Sequence, residues 1–378
     1  MAPTPTRRAA APSSPRAASN PSSPERLADL APDFAGRLIA WHARHGRHDL
    51  PWQNTRDAYR IWLSEIMLQQ TQVTTVMPYY ARFLDRFPDI RALAAAPVED
   101  VMALWSGLGY YARARNLHAC ARAVVGRHGG EFPRDAIAIA ELPGIGRSTA
   151  AAIAAFAFGA RGAILDGNVK RVLARSFGID GFPGEKKVEN RLWELAESLL
   201  PARGIETYTQ ALMDLGATVC TRGKPGCARC PMNDACVALA QDRIAELPTP
   251  RPRKTVPKRS ARYLILRHAD RVLFEQRPPS GIWGGLLCLP ELAAGDDVEA
   301  IAHARYGCRV DHVAERPPLT HGFTHFTLTL QPLECRVIAL DAHAAQPGIQ
   351  WLAEGDLEGA ALPSPVRRLL LAAGSSTT

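Results

Sequence analysis

Two domains of different class are predicted: an all-α domain over residues 33–245 and a strand-rich domain over residues 262–374. Length, a change of hydrophobic period and a Pro-rich basic stretch between the two carry this reading. At 378 residues the chain exceeds one compact domain, for which ~150 residues is a usual size. From residue 33 onward apolar residues recur at helical spacing, in Ala58–Val73, in Pro97–Ser106 and in the Ala-rich Ser148–Gly159. Breakers separate these runs: Gly107-Leu-Gly109, Pro143-Gly144-Ile-Gly146 and Gly181-Phe-Pro183-Gly184. Beyond residue 262 the period falls to two, in Tyr263–Arg267, Arg271–Gln276 and His325–Gln331. Residues 246–261 between the domains are rich in Pro, Arg and Lys and are expected to form an extended linker. Residues 1–32 begin with an Ala/Pro/Ser-rich stretch and are expected to be a disordered tail.

Hydrophobic residues make up 47% and charged residues 22%, with a mean hydropathy of −0.12. No apolar run approaches the ~18 residues of a membrane span, so membrane proteins and wholly disordered chains are excluded. The net charge of +8 points to a polyanion partner only weakly, because its distribution is uneven. Residues 248–262 hold six basic residues and no acid, whereas residues 263–378 hold nine basic and thirteen acidic ones. The N-terminus lacks an apolar signal core, and its prolines would break a targeting helix. Ala- and Arg-heavy composition suggests a bacterial cytoplasm. A nucleoid-associated monomer without membrane contact is expected.

The most specific local signal is Cys220-x6-Cys227-x2-Cys230-x5-Cys236. Four thiolates so close in sequence can converge on a four-iron cluster or on zinc. Zinc sites usually bring two short-spaced pairs, and only Cys227/Cys230 is one, so spacing favours iron–sulfur modestly. Cys120, Cys288, Cys308 and Cys335 are scattered, which argues for a reducing compartment rather than a disulfide framework.

Leu142-Pro-Gly144-Ile-Gly146 lies between two helical stretches. Its glycines allow a tight turn that opens backbone N–H groups to a phosphate, although a purely structural turn needs similar residues. Glu65 sits among apolar neighbours in Ile61–Gln70, where partial burial would raise its pKa and suit a general acid. A solvent-facing Glu on an amphipathic helix is the commoner outcome. Asp166 opens Asp-Gly-Asn168-Val-Lys170-Arg, the pattern of a helix N-cap, which would keep it ionised. One neutral and one charged carboxyl is the arrangement that cleaves a glycosidic bond through a cationic sugar, provided that the two groups meet. Tyr110 and Tyr111 could stack on or wedge between bases, Arg113 and Arg115 could reach phosphates, and Gln69 and Gln70 could bond at a base step. Packing at a helix start and surface glutamines explain such residues equally well.

Ser64-Glu-Ile-Met-Leu-Gln-Gln-Thr-Gln-Val73, Gly107-Leu-Gly-Tyr-Tyr111, Leu142–Gly146, Ile164-Leu-Asp-Gly-Asn-Val-Lys-Arg171 and the four cysteines occur in one order. Together they resemble the adenine DNA glycosylase family (MutY type) of the helix-hairpin-helix glycosylase superfamily, over about residues 34–370. The resemblance implies an all-α helix-hairpin-helix glycosylase domain with an iron–sulfur cluster loop (220–236), followed by an α+β Nudix-like domain. It implies a base excision repair enzyme that hydrolyses the N-glycosyl bond of adenine mispaired with 8-oxoguanine or guanine in double-stranded DNA. Glu65 matches the acid that protonates the base, and Asp166 the carboxylate that stabilises the sugar cation. Gly144, Gly146, Ser148 and Asn168 match DNA-binding positions. Tyr110 and Gln70 match side chains inserted beside the mispaired guanine. Cys220, Cys227, Cys230 and Cys236 match the ligands of one 4Fe-4S cluster.

Three further features refine this. Related lyases carry a Schiff-base Lys after the hairpin, where this chain has Ser148, so a monofunctional glycosylase is expected; Lys170 remains an amine that could trap an abasic aldehyde. The family's lesion-reading loop has a Phe-Ser-His core, and this chain has Phe323-Thr324-His325. Thr324 can make the same hydrogen bond, but its extra methyl bears on selectivity. After Glu291 the chain has only Asp296, Asp297 and Glu299, not the glutamate-rich helix of a pyrophosphatase. Two rivals are a lyase acting on oxidised pyrimidines, opposed by Ser148, and a silent mismatch-binding protein, opposed by the intact Glu65 and Asp166.

Overall fold

The computed structural model describes residues 24–252, 255–341 and 348–373. The tail up to residue 23 and Arg253 and Lys254 of the linker lie outside the described residues. The helical part runs α1 (Pro24–His45), α2 (Ala58–Leu68), α3 (Val73–Arg86), α4 (Ile90–Ala95), α5 (Val98–Trp105), α6 (Ala112–His128), α7 (Ala136–Ala140), α8 (Arg147–Phe158), α9 (Gly167–Phe177), α10 (Lys186–Ser198), α11 (Ile205–Asp214) and α12 (Val237–Ala240). One expectation is corrected: helix α1 begins at Pro24, inside the stretch expected to be disordered. Within Ala58–Val73 the chain leaves α2 at Gln69 and starts α3 at Val73.

Aspartates start many of these helices by accepting the amides that a first turn leaves without partners. Asp57 does so for α2 and Asp89 for α4, each accepting two N–H groups, and Asp135 and Asp166 accept one each at α7 and α9.

By contact the chain forms two units. One comprises, of the described residues, 24–47 and 165–251, the other 48–164 and those from 252 to 373. In the first, α1, α9, α10, α11 and α12 pack together, and α11 runs on into a π-helical turn, Leu215–Val219. That turn ends where the Cys220 N–H bonds to the Leu215 carbonyl at 2.7 Å.

The second unit joins α2–α8 to a mixed sheet with two helices, α13 (Val298–Tyr306) and α14 (Ser364–Ala373). Its strands are β1 (Lys258–His268), β2 (Arg271–Gln276), β3 (Leu287–Cys288), β4 (Glu291–Leu292), β5 (Cys308–Glu315), β6 (Leu319–Gly322), β7 (Thr327–Leu340) and β8 (Ile349–Ala353). The central order is β3-β2-β1-β7-β5, with β1 and β7 parallel and the other pairs antiparallel. Strand β1 begins at Lys258, so the last part of the expected linker is strand rather than free coil.

Alternation along β1 explains why Tyr263-Leu-Ile-Leu reads as an unbroken apolar run. Tyr263 and Ile265 enter a core shared with Trp62, Phe83, Trp105 and Ile153 of the helices, while Leu264 and Leu266 pack with Tyr306 of α13. A strand covered on both faces needs apolar residues at every position. The shared core is the physical reason that residues 48–164 group with the sheet.

Candidate active site and cysteine cluster

Glu65 lies on α2, half-buried, between the buried Ser64 and Ile66. At the end of that helix Gln70 adopts φ +57°, a left-handed conformation unfavourable for a residue with a Cβ. Tyr110 does the same, at φ +50°, and is 51% exposed. It follows the loop Gly107–Gly109, in which Gly107 has φ +103° and a Cβ would meet the Tyr79 hydroxyl oxygen at 2.2 Å.

Arg113 does not reach outward to phosphates, which corrects the expectation. Only 9% of it is exposed. Its Nη1 donates to the carbonyls of Ile66, Met67 and Gln69 at 3.0, 2.8 and 2.7 Å. Its Nη2 reaches Thr71 Oγ1 at 3.1 Å and the carbonyls of Leu108 and Gly109, both at 3.2 Å. Burial pulls its pKa down to about 10, so it remains a cation at neutral pH.

Arg115 is also engaged within the protein, through Nη1 to the Gly284 carbonyl at 2.6 Å. Nearby, the Leu362 carbonyl accepts from Ser106 Oγ at 3.1 Å and from the Tyr111 hydroxyl at 3.3 Å. Arg367 Nη2 donates to Ser106 Oγ at 2.8 Å. The loop that carries Tyr110 is thereby tied to the sheet region.

The turn between α7 and α8 is a helical hairpin. Gly144 has φ +77°, and a Cβ there would stand 2.6 Å from that of Asn116. Gly146, with no side chain to cap α8, starts that helix. Gly144 and Gly146 are exposed, and Ser148 in the first turn of α8 is half-buried.

Asp166 caps α9, its carboxylate accepting the Val169 N–H at 2.7 Å. Burial raises its pKa above the ordinary aspartate range, against the opposing pull of the Val169 and Asn168 amides, Arg171 and Lys170. That differs from the cap-only expectation, because crowding outweighs the cap. The residue is nonetheless exposed, so water shares in solvating its charge. Asn168 Oδ1 accepts from Arg171 Nη2 at 2.8 Å. Lys170 pairs with Glu189 at 2.7 Å. Glu65 belongs to the second unit and Asp166 to the first.

Cys220, Cys227, Cys230 and Cys236 line one apolar cavity with Val172, Leu215 and Leu239. Sequence reasoning missed its supports on α9. Arg171 donates to the carbonyls of Cys220 and Gly216, at 2.7 and 2.6 Å. Arg175 donates to the carbonyls of Thr221, Arg222 and Leu247 and lies 3.6 Å from Cys220 Sγ. The i, i+4 spacing of these two arginines was the available signal. Among the described residues, no three His, Cys, Asp or Glu side chains converge closely enough to hold one metal ion.

Thr324 and His325 are exposed at the tip of the β6–β7 hairpin. Below the tip Phe323 stacks on Phe326 at 4.4 Å, and Phe323 also meets His321 and Trp283 at 4.8 and 5.8 Å. Arg259 lies 4.7 Å over the Phe326 ring. Trp283, His321 and Phe326 were not singled out from sequence.

A helical hairpin in an all-α region, followed by a mixed sheet with two helices, defines the class. Residues 63–198 match the HhH-GPD superfamily of base excision DNA repair proteins, and residues 262–372 match the NUDIX domain. The adenine DNA glycosylase of Buchnera aphidicola subsp. Acyrthosiphon pisum is 34% identical over 338 residues, 89% of this chain and 96% of that protein. The adenine DNA glycosylase of Mus musculus is 33% identical over 399 residues, 89% of this chain and 77% of that protein. A solved thermostable thymine-DNA glycosylase is 31% identical with a TM-score of 0.50, covering 57% of this chain and 98% of that one. The chain belongs to the adenine DNA glycosylase family, enzymes of base excision repair that act on N-glycosyl bonds. Among the described residues, no helix is long and apolar enough to cross a membrane.

Proposed function

We propose that this chain is a monofunctional glycosylase that removes adenine paired with 8-oxoguanine or guanine in duplex DNA and leaves an abasic site. Adenine leaves the stack, at a few kcal/mol of unstacking, before it reacts. Glu65 donates a proton to N7, and the C1′–N9 bond breaks with its electron pair passing to the base. Asp166, ionised, faces the cationic sugar. Water adds to C1′ and gives up its proton to the Glu65 carboxylate, restoring the acid.

The observation that carries this reading is the unlike setting of the two carboxyls. Glu65 is half-buried on an apolar helix, while Asp166 is exposed to water and fixed by the Val169 amide at a helix N-terminus, where Arg171 and Lys170 partly offset the burial that raises its pKa. Ser148 offers no amine for strand cleavage, and the ion pair with Glu189 occupies Lys170. Gln70 and Tyr110 are assigned to insertion beside the opposite base. Gly144, Gly146, Ser148 and Asn168 are assigned to the DNA backbone, and Thr324 and His325 to reading the opposite base.

The four cysteines are assigned to one 4Fe-4S cluster. A single zinc needs its sulfurs at ~2.3 Å from one point, whereas a cluster spreads four thiolates over a larger body. The four thiols line one apolar cavity, which is where such a cluster would be held. When bound, the cluster supplies a covalent cross-link across the 220–236 loop. The protein is taken as a monomer, with a helical domain over 33–245 and a Nudix-like domain over 262–374.

Glu65→Gln is expected to bind an adenine:8-oxoguanine duplex normally and to cleave it about 10²- to 10⁴-fold more slowly in single turnover. Full activity in that variant would show the acid assignment to be wrong. A preference for thymine over adenine in the same assay would favour the specificity named for the solved thymine-DNA glycosylase.

A further inference from the structure

Gln70 and Tyr110 are non-glycine residues with positive φ, 40 positions apart in sequence. A left-handed conformation persists at such residues only where the surroundings enforce it. Arg113 connects the two segments. Nη1 gathers three carbonyls from the end of α2, which carries Glu65 and delivers Gln70. Nη2 holds Thr71 beyond Gln70 and the two carbonyls that precede Tyr110.

Each helix end leaves carbonyls without intrahelical partners, and a cation placed there also meets the helix dipole favourably. A planar guanidinium suits this task because its donors fan out from a rigid fork; a lysine ammonium is a point charge. The Trp105 and Tyr110 rings lie 5.1 and 5.6 Å from the guanidinium carbon and close over it. Arg113 itself sits on α6, one turn past the Tyr110 loop, so its own placement is secured by a helix.

We propose that Arg113 is a positioning residue that clamps Gln70 and Tyr110 into one preformed wedge, so that both side chains enter the duplex together. The proposal rests on the insertion roles assigned to those two residues. Without the clamp, each segment would relax toward ordinary backbone conformations, and the wedge would have to be assembled at every encounter with DNA.

The test is a coupling measurement on the 378-residue chain. Single-turnover excision from an adenine:8-oxoguanine duplex would be measured for Arg113→Lys, for Gln70→Ala/Tyr110→Ala, and for the triple variant. Base unstacking would be followed in parallel with 2-aminopurine beside the mispair. Arg113→Lys is expected to slow excision about 10-fold or more and to diminish the fluorescence rise. In the background lacking both wedge side chains, the same substitution is expected to change the rate less than about 2-fold.

An equal loss in both backgrounds would reduce Arg113 to a general structural role and overturn the clamp, as would an unaltered rate for Arg113→Lys. If Gln70→Ala/Tyr110→Ala alone keeps the wild-type rate, the insertion reading fails first and the clamp falls with it. Should Arg113→Lys not fold, Thr71→Val removes one acceptor while leaving the arginine in place. It is expected to slow excision about 2-fold or more in the wild-type background only, and an equal effect in both backgrounds would overturn the proposal.

Discussion

Asp214 illustrates how single residues in this molecule are fixed by burial and charge together. Its side chain is 1% exposed, and it accepts from the Arg47 backbone N–H and Nε, both at 2.8 Å, from Arg47 Nη2 at 2.5 Å and from Gln210 at 2.9 Å. His42 Nε2 lies 3.4 Å away. Burial alone would raise its pKa, but the bonds from His42 and Arg47 outweigh it and hold the carboxyl below the ordinary range. A carboxyl with a depressed folded-state pKa adds stability that is complete above the unfolded value, ~3.9, and is lost as pH falls through the folded one. Breaking a buried ion pair costs about 3–5 kcal/mol, and partial exposure of Arg47 sets the lower end for Asp214→Asn. Denaturant titration at neutral pH is expected to give about 3 kcal/mol, with a flatter acid limb below pH ~4. An unchanged midpoint would show that the pair contributes little.

At the scale of elements, most of what was legible in the sequence was local. Asp166 as a helix cap, the 142–146 turn and the two-residue period of β1 follow from side-chain chemistry within a few positions. Arg113 was misread because its sequence neighbours, tyrosines and glycines, resemble a DNA-contacting stretch. Its acceptors lie 42 to 47 positions away, in α2 and the turn after it, as well as in the adjacent loop. Arg115 was misread for the same reason, since its acceptor is 169 positions away. The cysteine loop is the element whose chemistry is most directly countable. Four irons and four inorganic sulfides per chain are expected from chemical analysis of the purified protein, and Cys230→Ser is expected to lose them. One zinc per chain and no sulfide would contradict the cluster.

Over the whole molecule, period and composition separated a helical from a strand-rich region, and that order holds. The shared packing of residues 48–164 with those from 252 to 373 was illegible, because a core such as Trp62, Trp105, Tyr263 and Phe274 is assembled from positions as far apart as 62 and 274. The ties from Ser106, Tyr111 and Arg115 to Leu362, Arg367 and Gly284 belong to the same packing. They place the Tyr110 loop and the sheet region in one physical unit. The roles proposed for Tyr110 beside the opposite base and for Thr324 and His325 in reading it are therefore open to joint measurement on one chain.

The most direct test of the central claim is single-turnover reaction of an adenine:8-oxoguanine duplex, divided into samples with and without alkali. Base removal by Glu65 and Asp166 without a lyase amine predicts strand breaks only after alkali. Breaks in the untreated sample would contradict the monofunctional assignment and point to a Schiff base on an amine such as Lys170. A duplex that is bound but left intact in both samples would contradict the glycosylase assignment itself.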